Sequence, residues 1–290
     1  CTILGVRLTV TNAVEIAPDG TITFPLGNHG TTAFLAGGDT TGIILYSDFI
    51  NRGTFNAGHS TITFAGNDRK VIANTQANTP GGTNFYNLEI AGDSVSGIGN
   101  ITVAHTLTLG YSLKQRAQDT ITVTNDSSGA ISGTGTIPAG TVARAIRQSE
   151  TAAYRFESVN SYLQFKGTGT YPSTVAITTL PETTLTSFRL KWQLVGGVAD
   201  PALNTVKAGP ISRFSRWVLG VPKPATSEGV PVVNRAYVVK SSGGGGANAD
   251  LQLHYEQDEV PPGTDESALR LLKGPIATDT FRPVECTPPN

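Results

Sequence analysis

Between residues 51 and 110 the chain runs as short Thr-, Ile-, Val-, Leu- and Phe-containing segments punctuated by Gly and Asn, with no helical period. The units read NRGTFNAGHSTITFAG (51–66), NFYNLEIAG (84–92) and NITVAHTLTLG (100–110). Each closes on a glycine, Gly66, Gly92 or Gly110, that can take a positive φ. Alternation with a period of two gives each unit one apolar face. A single strand cannot bury that face alone, whereas stacked units can, so the pattern predicts a short parallel β-solenoid.

The solenoid-like texture extends over residues 21–146, where strands such as TITF, GIILYSDF, KVIA, DTITVT and GTVARAI follow one another at short intervals. Gly97, Gly99, Gly129, Gly133, Gly135 and Gly140 are placed to serve the turns, and Asn87, Asn100 and Asn125 to stack or cap there. Over residues 147–274 the strands lengthen (YRFESV, YLQFKG, SFRLKWQLV, NRAYVVKSS, ADLQLHYEQDEV), a spacing that suits an antiparallel β-sandwich. The fold class read from the chain is therefore all-β: a short parallel β-solenoid followed by an antiparallel β-sandwich, with almost no helix. Residues 1–20 form an N-terminal strand segment, and residues 275–290 a Pro-rich tail expected to be extended.

Composition narrows the function classes. Charged residues are only 15% of the 290, the net charge is -1, and the Lys and Arg are scattered, so there is no basic stripe to follow a phosphate backbone. No apolar run approaches the ~20 residues of a membrane-spanning helix. Met is absent. That absence, with the strand-rich and charge-poor texture, leads us to expect a processed, extracellular or cell-surface protein.

The two cysteines are Cys1 and Cys286. Three readings stay open. They form an intrachain bridge, which in the chain-entropy model would contribute roughly 5 to 6 kcal/mol for so long a loop. They bridge one subunit to the next, as expected if an elongated molecule holds its ends apart. Or Cys1 is lipidated. The apolar segment at residues 2–10, with Ile3, Leu4, Val6, Leu8 and Val10 on alternating and adjacent positions, is a candidate strand to add to a neighbour's sheet edge, or simply the first strand of its own domain.

Catalytic signatures are missing: there is no GxSxG elbow, Walker A loop, CxxC pair, HExxH helix or complete GxGxxG fingerprint. His29, His59, His105 and His254 fall in separate strands or turns. Glu15, Asp39, Asp48, Asp68, Glu89, Asp93 and Asp119 are solitary and read as solvated turn residues, which disfavours the clustered carboxylates of a polysaccharide-cleaving solenoid. The one dense acidic stretch, YEQDEVPPGTDES, makes Glu256, Asp258 and Asp265 a weak calcium candidate; a solvated loop is the preferred reading. Trp192, Trp217, Tyr237 and Tyr255 lie in alternating strands and read as core. No cofactor is expected.

The units GTFNAGHSTITFAG, NFYNLEIAG and ITVAHTLTLG resemble the repeated segments of secreted surface and adhesin-like proteins of Bacteroidota-type bacteria. TVARAI, NRAYVV, LQLHYEQDEV and DESALRLLKG resemble the sandwich segment that follows them there. The resemblance implies a secreted, surface-associated, structural or adhesive protein and transfers no catalytic residue. Together these readings lead to a non-enzymatic structural subunit assembling head to tail into a fibre or sheath, with other copies of itself as partner. The alternative is a monomeric adhesin or glycan-binding module, lipid-anchored at Cys1 or released from a longer chain. Neither reading involves nucleic acid or a membrane span.

Overall fold

The computed structural model describes residues 7–23, 42–74, 83–167, 169–181, 193–194, 198–202, 205–211, 216–220, 232–243 and 248–274. These residues form a nearly all-β protein with both parallel and antiparallel sheets. Among them there is no α-helix; the helical content is three single 3₁₀ turns, Ser128–Ala130, Gln257–Glu259 and Glu266–Ala268. Among the described residues no helix is long and apolar enough to cross a membrane. The chain divides into two compact units, Cys1–Ala145 and Ile146–Asn290.

In the first unit the strands in chain order are β1 (Arg7–Val10), β2 (Val14–Ile16), β3 (Thr21–Thr23), β4 (Gly42–Leu45), β5 (Phe49–Asn51), β6 (Thr54–Asn56), β7 (Thr61–Phe64), β8 (Lys70–Asn74), β9 (Thr83–Ile90), β10 (Val95–Ile98), β11 (Ile101–Leu109), β12 (Leu113–Lys114), β13 (Thr120–Val123), β14 (Ile131–Gly133) and β15 (Gly140–Ala145). The pairings within this unit are parallel, and the chain visits three ladders in turn. One ladder runs β1, β4, β7, residues 87–90 of β9, residues 106–109 of β11, then β14. A second holds β2, β5, β8, β10 and β12. In a third direction β3 pairs with β6, and residues 83–85 of β9 lead through residues 101–103 of β11 to β13 and β15.

Parallel stacking puts like positions above one another, so the period-two apolar residues become columns. Leu8, Ile43, Ile62, Leu88, Leu107 and Ile131 are successive partners, and all but Leu8 are buried. Between the ladders the rings of Phe49, Phe55 and Phe85 meet at centroid distances of 5.2, 5.6 and 5.7 Å. Each fully buried side chain of this kind stabilises the fold by about 1.5–3 kcal/mol. Residues paired on adjacent strands lie from 18 positions apart in the chain, as Thr83 and Ile101, to 35 apart, as Leu8 and Ile43. That variable interval is why the sequence shows strand-and-turn units without a fixed repeat.

The closing glycines differ from expectation. Gly66 does adopt a positive φ of 85°. Gly92 and Gly110 do not have this conformation; they are required by close approach, since a Cβ at Gly92 would stand 2.1 Å from the Gly66 carbonyl oxygen.

The second unit contains β16 (Ala153–Arg155), β17 (Tyr162–Lys166), β18 (Thr174–Pro181), β19 (Gln193–Leu194), β20 (Val198–Asp200), β21 (Thr205–Ile211), β22 (Arg216–Gly220), β23 (Val232–Ser242), β24 (Asn248–His254) and β25 (Arg270–Gly274). Its pairings are antiparallel. One sheet has the order β16, β17, β24, β21, β20, and the other strands run β18, β23, β22, β25, β19. Tyr154, Leu163, Phe165, Leu251 and Leu253 of the first set and Val175, Ile177, Tyr237 and Val239 of the second are buried. Tyr237 and Tyr255 are thus core residues, as the alternation predicts. The side chains of Trp192 and Trp217 lie outside the described residues.

Candidate functional site

The most unusual surface of the first unit is its first strand. β1 pairs with β4 along one edge, and among the described residues it has no partner on the other. Leu8 and Val10 sit over the buried Ile43 and Leu45 and so continue two core columns. Leu8 is nevertheless 43% exposed. An apolar column therefore ends in solvent beside a row of main-chain donors and acceptors, the two features that allow a further strand to add. Of the expected assembly strand, Leu8 and Val10 are placed here. Ile3, Leu4 and Val6 lie outside the described residues, as do Cys1, Cys286 and the whole tail at residues 275–290.

The densest polar cluster is in the core of the second unit. Ser161 accepts a hydrogen bond from the His254 N–H at 2.8 Å, and its hydroxyl donates to Glu157 Oε1. Tyr237 Oη lies 3.1 Å from the same Glu157 oxygen and donates to the His254 carbonyl. Arg235 Nε reaches both oxygens of Glu259, at 2.9 and 2.7 Å, and Glu259 Oε2 also accepts from the Glu256 N–H at 2.9 Å. Burial pushes the Glu157 carboxyl above its usual range, against the lowering effect of Ser161, Arg235, His254 and Tyr237. Burial, together with the charge of Glu157, likewise holds the Tyr237 phenol well above its usual value. Arg235 keeps its proton despite burial, because Tyr237 and Glu259 favour its charged form.

Glu157, Ser161, Arg235 and Tyr237 are all buried, so a solute cannot reach their reactive atoms. The arrangement ties β23, β24 and the turn at Gln257–Glu259 together. Sequence reasoning did not single out Glu157 or Arg235. For Arg235 a signal was present: Val233, Arg235, Tyr237 and Val239 occupy alternate positions of β23, and all four are buried.

The acidic stretch is occupied by local structure. Glu256 precedes the Gln257–Glu259 turn and lies 3.4 Å from His254 Nε2, while the Asp265 carboxylate accepts from both the N–H and the hydroxyl of Ser267. Asp258 is within that turn. Among the described residues no three His, Cys, Asp or Glu side chains come together as a metal site.

Two of the carboxylates expected to be solvated are instead structural. Asp119 is buried, accepts from Arg116 Nε at 2.6 Å and Nη2 at 3.0 Å, and receives the Gly99 N–H at 2.9 Å. Asp48 accepts from the Val71 N–H at 2.8 Å. Both sit next to turns, but the neighbouring strands present main-chain donors to them. Glu89 accepts from Thr63 on the neighbouring strand at 2.8 Å. Asn100 and Asn125 cap main-chain groups one strand away, and Asn87 accepts from Thr106. The histidines are partly gathered: His59, Tyr86 and His105 form one stack, with centroid distances of 4.4 and 4.9 Å, and the tyrosine ring separates the two imidazoles. His29 and Asp39 lie outside the described residues.

No family model matches the chain, and no curated protein or solved structure matches it either.

Proposed function

We propose that this protein is a non-enzymatic structural subunit of an extracellular fibre or sheath, in which the first unit is a short parallel β-solenoid and the second an antiparallel β-sandwich. The solenoid reading is supported by the three parallel ladders that the chain visits in turn. The sandwich reading is supported by Tyr237, whose hydroxyl reaches from one set of antiparallel strands to the His254 carbonyl of the other.

The observation that carries the assembly is Leu8, exposed over a column whose next member, Ile43, is buried. In a solenoid each repeat stabilises only its neighbours, so an uncapped end leaves apolar surface and strand edge to be covered. A second copy covers both, and a head-to-tail contact that does not close produces a filament. A disulfide between Cys1 of one subunit and Cys286 of the next would lock the joint.

Electrophoresis with and without reductant, on native material whose thiols are blocked during lysis, tests this. The expected result is a ladder of multimers collapsing on reduction to the 30.3 kDa chain. A monomer in both lanes, together with a single monomeric species in sedimentation at high concentration, would overturn it.

A further inference from the structure

Only three large apolar or aromatic side chains among the described residues are exposed: Leu8, Tyr46 and Tyr111. Leu8 belongs to the strand edge discussed above. The two tyrosines lie elsewhere, at one corner of the first unit where the chain leaves its first ladder. Tyr46 follows Leu45 of β4, and Tyr111 comes two residues after Leu109 of β11. Leu45, Phe64, Ile90 and Leu109 are successive partners, so the tyrosines are three ladder steps apart, about 14 Å at the usual strand spacing.

The two steps between them carry almost no side chain at this corner. The residues there are Ala65 and Gly66, then Ala91 and Gly92. The bareness is enforced by packing: a Cβ at Gly92 would stand 2.1 Å from the Gly66 carbonyl oxygen, and one at Gly66 would stand 2.9 Å from Tyr46 Cδ1. The latter contact also shows how Tyr46 is held, with the Cδ1–Cε1 edge of its ring beside Gly66 while the residue stays 44% exposed. Tyr111 is 52% exposed. Beneath the corner the buried Lys70 donates to the carbonyls of Gly66, at 3.2 Å, and Asp68, at 2.5 Å, which fixes the turn from below. The exposed Asn67, Asp68 and Asp93 flank the floor with hydrogen-bonding groups.

We propose that this corner is a binding track for an extended, neutral polysaccharide. An exposed tyrosine ring, held by one edge as Tyr46 is, offers a face to a flat apolar ligand, and the C–H face of a pyranose is such a surface. An extended β-1,4-linked chain advances by close to one strand spacing per ring, so rings i and i+3 fall on Tyr46 and Tyr111, and the two between pass over the side-chain-free floor. The two aspartates supply acceptors for sugar hydroxyls, and they outnumber the one exposed cation beside them, Arg69, which is turned to Ser96, so the local charge disfavours uronate polymers. The site is complete within one chain and does not depend on the assembly proposed above.

Calorimetric titration of the full chain with β-1,4-linked gluco- and chito-hexasaccharides, and with a polygalacturonate hexamer as the acidic control, tests the assignment. Binding to a neutral hexasaccharide, absence of binding to the acidic one, and a loss of about tenfold or more in both Tyr46→Ala and Tyr111→Ala are expected. Tyr46→Trp should retain binding, and Ala91→Trp, an exposed floor position, should block it while both tyrosines remain. Circular dichroism confirms that each variant is folded. Absence of binding to either neutral oligosaccharide, equal binding to the acidic one, or binding unchanged by both tyrosine substitutions would overturn the proposal.

Discussion

Tyr237 and Glu157, 80 positions apart in the chain, meet in the interior of the second unit with Oη and Oε1 separated by 3.1 Å. The second oxygen of Glu157 is buried with no hydrogen-bonding partner among the described residues, and burial favours the protonated acid.

This pair sets a pH dependence. A carboxyl whose folded pKa is raised binds its proton more tightly when folded than when unfolded. Its contribution is most favourable below the unfolded value of about 4.5 and is lost as pH rises toward the folded value. Glu157→Gln removes the titration while keeping the shape. The stability of the variant relative to the natural protein is therefore expected to increase as pH rises from about 4 to 8. Denaturant midpoints at several pH values measure this; parallel curves for the two proteins would contradict it.

Arg144 occupies the position after Val123 in the column Phe85, Val103, Val123, and it is fully buried. Its Nη2 donates to the carbonyls of Ser127 and Ser128, at 2.5 and 3.3 Å. Arg144→Ala removes one donor from each of those carbonyls, of which Ser127 keeps the Ala130 N–H at 3.1 Å, and opens a cavity, at a cost of about 2–4 kcal/mol. Arg144→Met, which fills the volume, should lose less. Urea unfolding separates the two, and equal losses would show that the hydrogen bonds dominate over packing.

Gly92→Ala brings a Cβ against the Gly66 carbonyl, backbone against backbone, and must push adjacent strands of the first ladder away from each other. A fall in melting temperature of several degrees is expected. At Gly129 the nearest atom to an added Cβ is Ser127 Oγ at 3.9 Å, so Gly129→Ala should be neutral or slightly stabilising. Scanning calorimetry of both variants checks the contrast.

Leu8→Asp places a charge on the exposed end of the apolar column without disturbing the buried residues beneath it. Self-association measured by sedimentation velocity should fall by an order of magnitude or more, with the unfolding midpoint shifted by no more than about 0.5 kcal/mol equivalent. Unchanged association would show that this edge is not where copies meet.

Much of the strand content was legible in the chain, because a period of two with Gly and Asn punctuation leaves few alternatives to β structure. TITF and ITVAHTLTL appear as β7 and β11 where the alternation placed them. The burial of Tyr237 and Tyr255 followed from the same pattern. Less visible was the role of solitary polar residues. Asp119 reads as a solvated turn aspartate until the fold brings the Gly99 N–H against it, 20 positions away. Glu157 and Arg235 likewise gain meaning only through partners 80 and 24 positions distant.

The exposed aromatic pair was equally hidden. Tyr46 and Tyr111 belong to different strand-and-turn units, and the ladder intervals between them vary, so no spacing in the sequence links them. By itself the sequence determined the β character, the apolar faces and the glycine positions, since these depend on local conformational preference and on alternation along one strand. Tertiary structure alone decided which faces became columns, which column ended exposed at Leu8, and which surface residues came to share a corner. Those outcomes depend on register between strands distant in the chain, a quantity set by the packing of the whole and carried by no single segment.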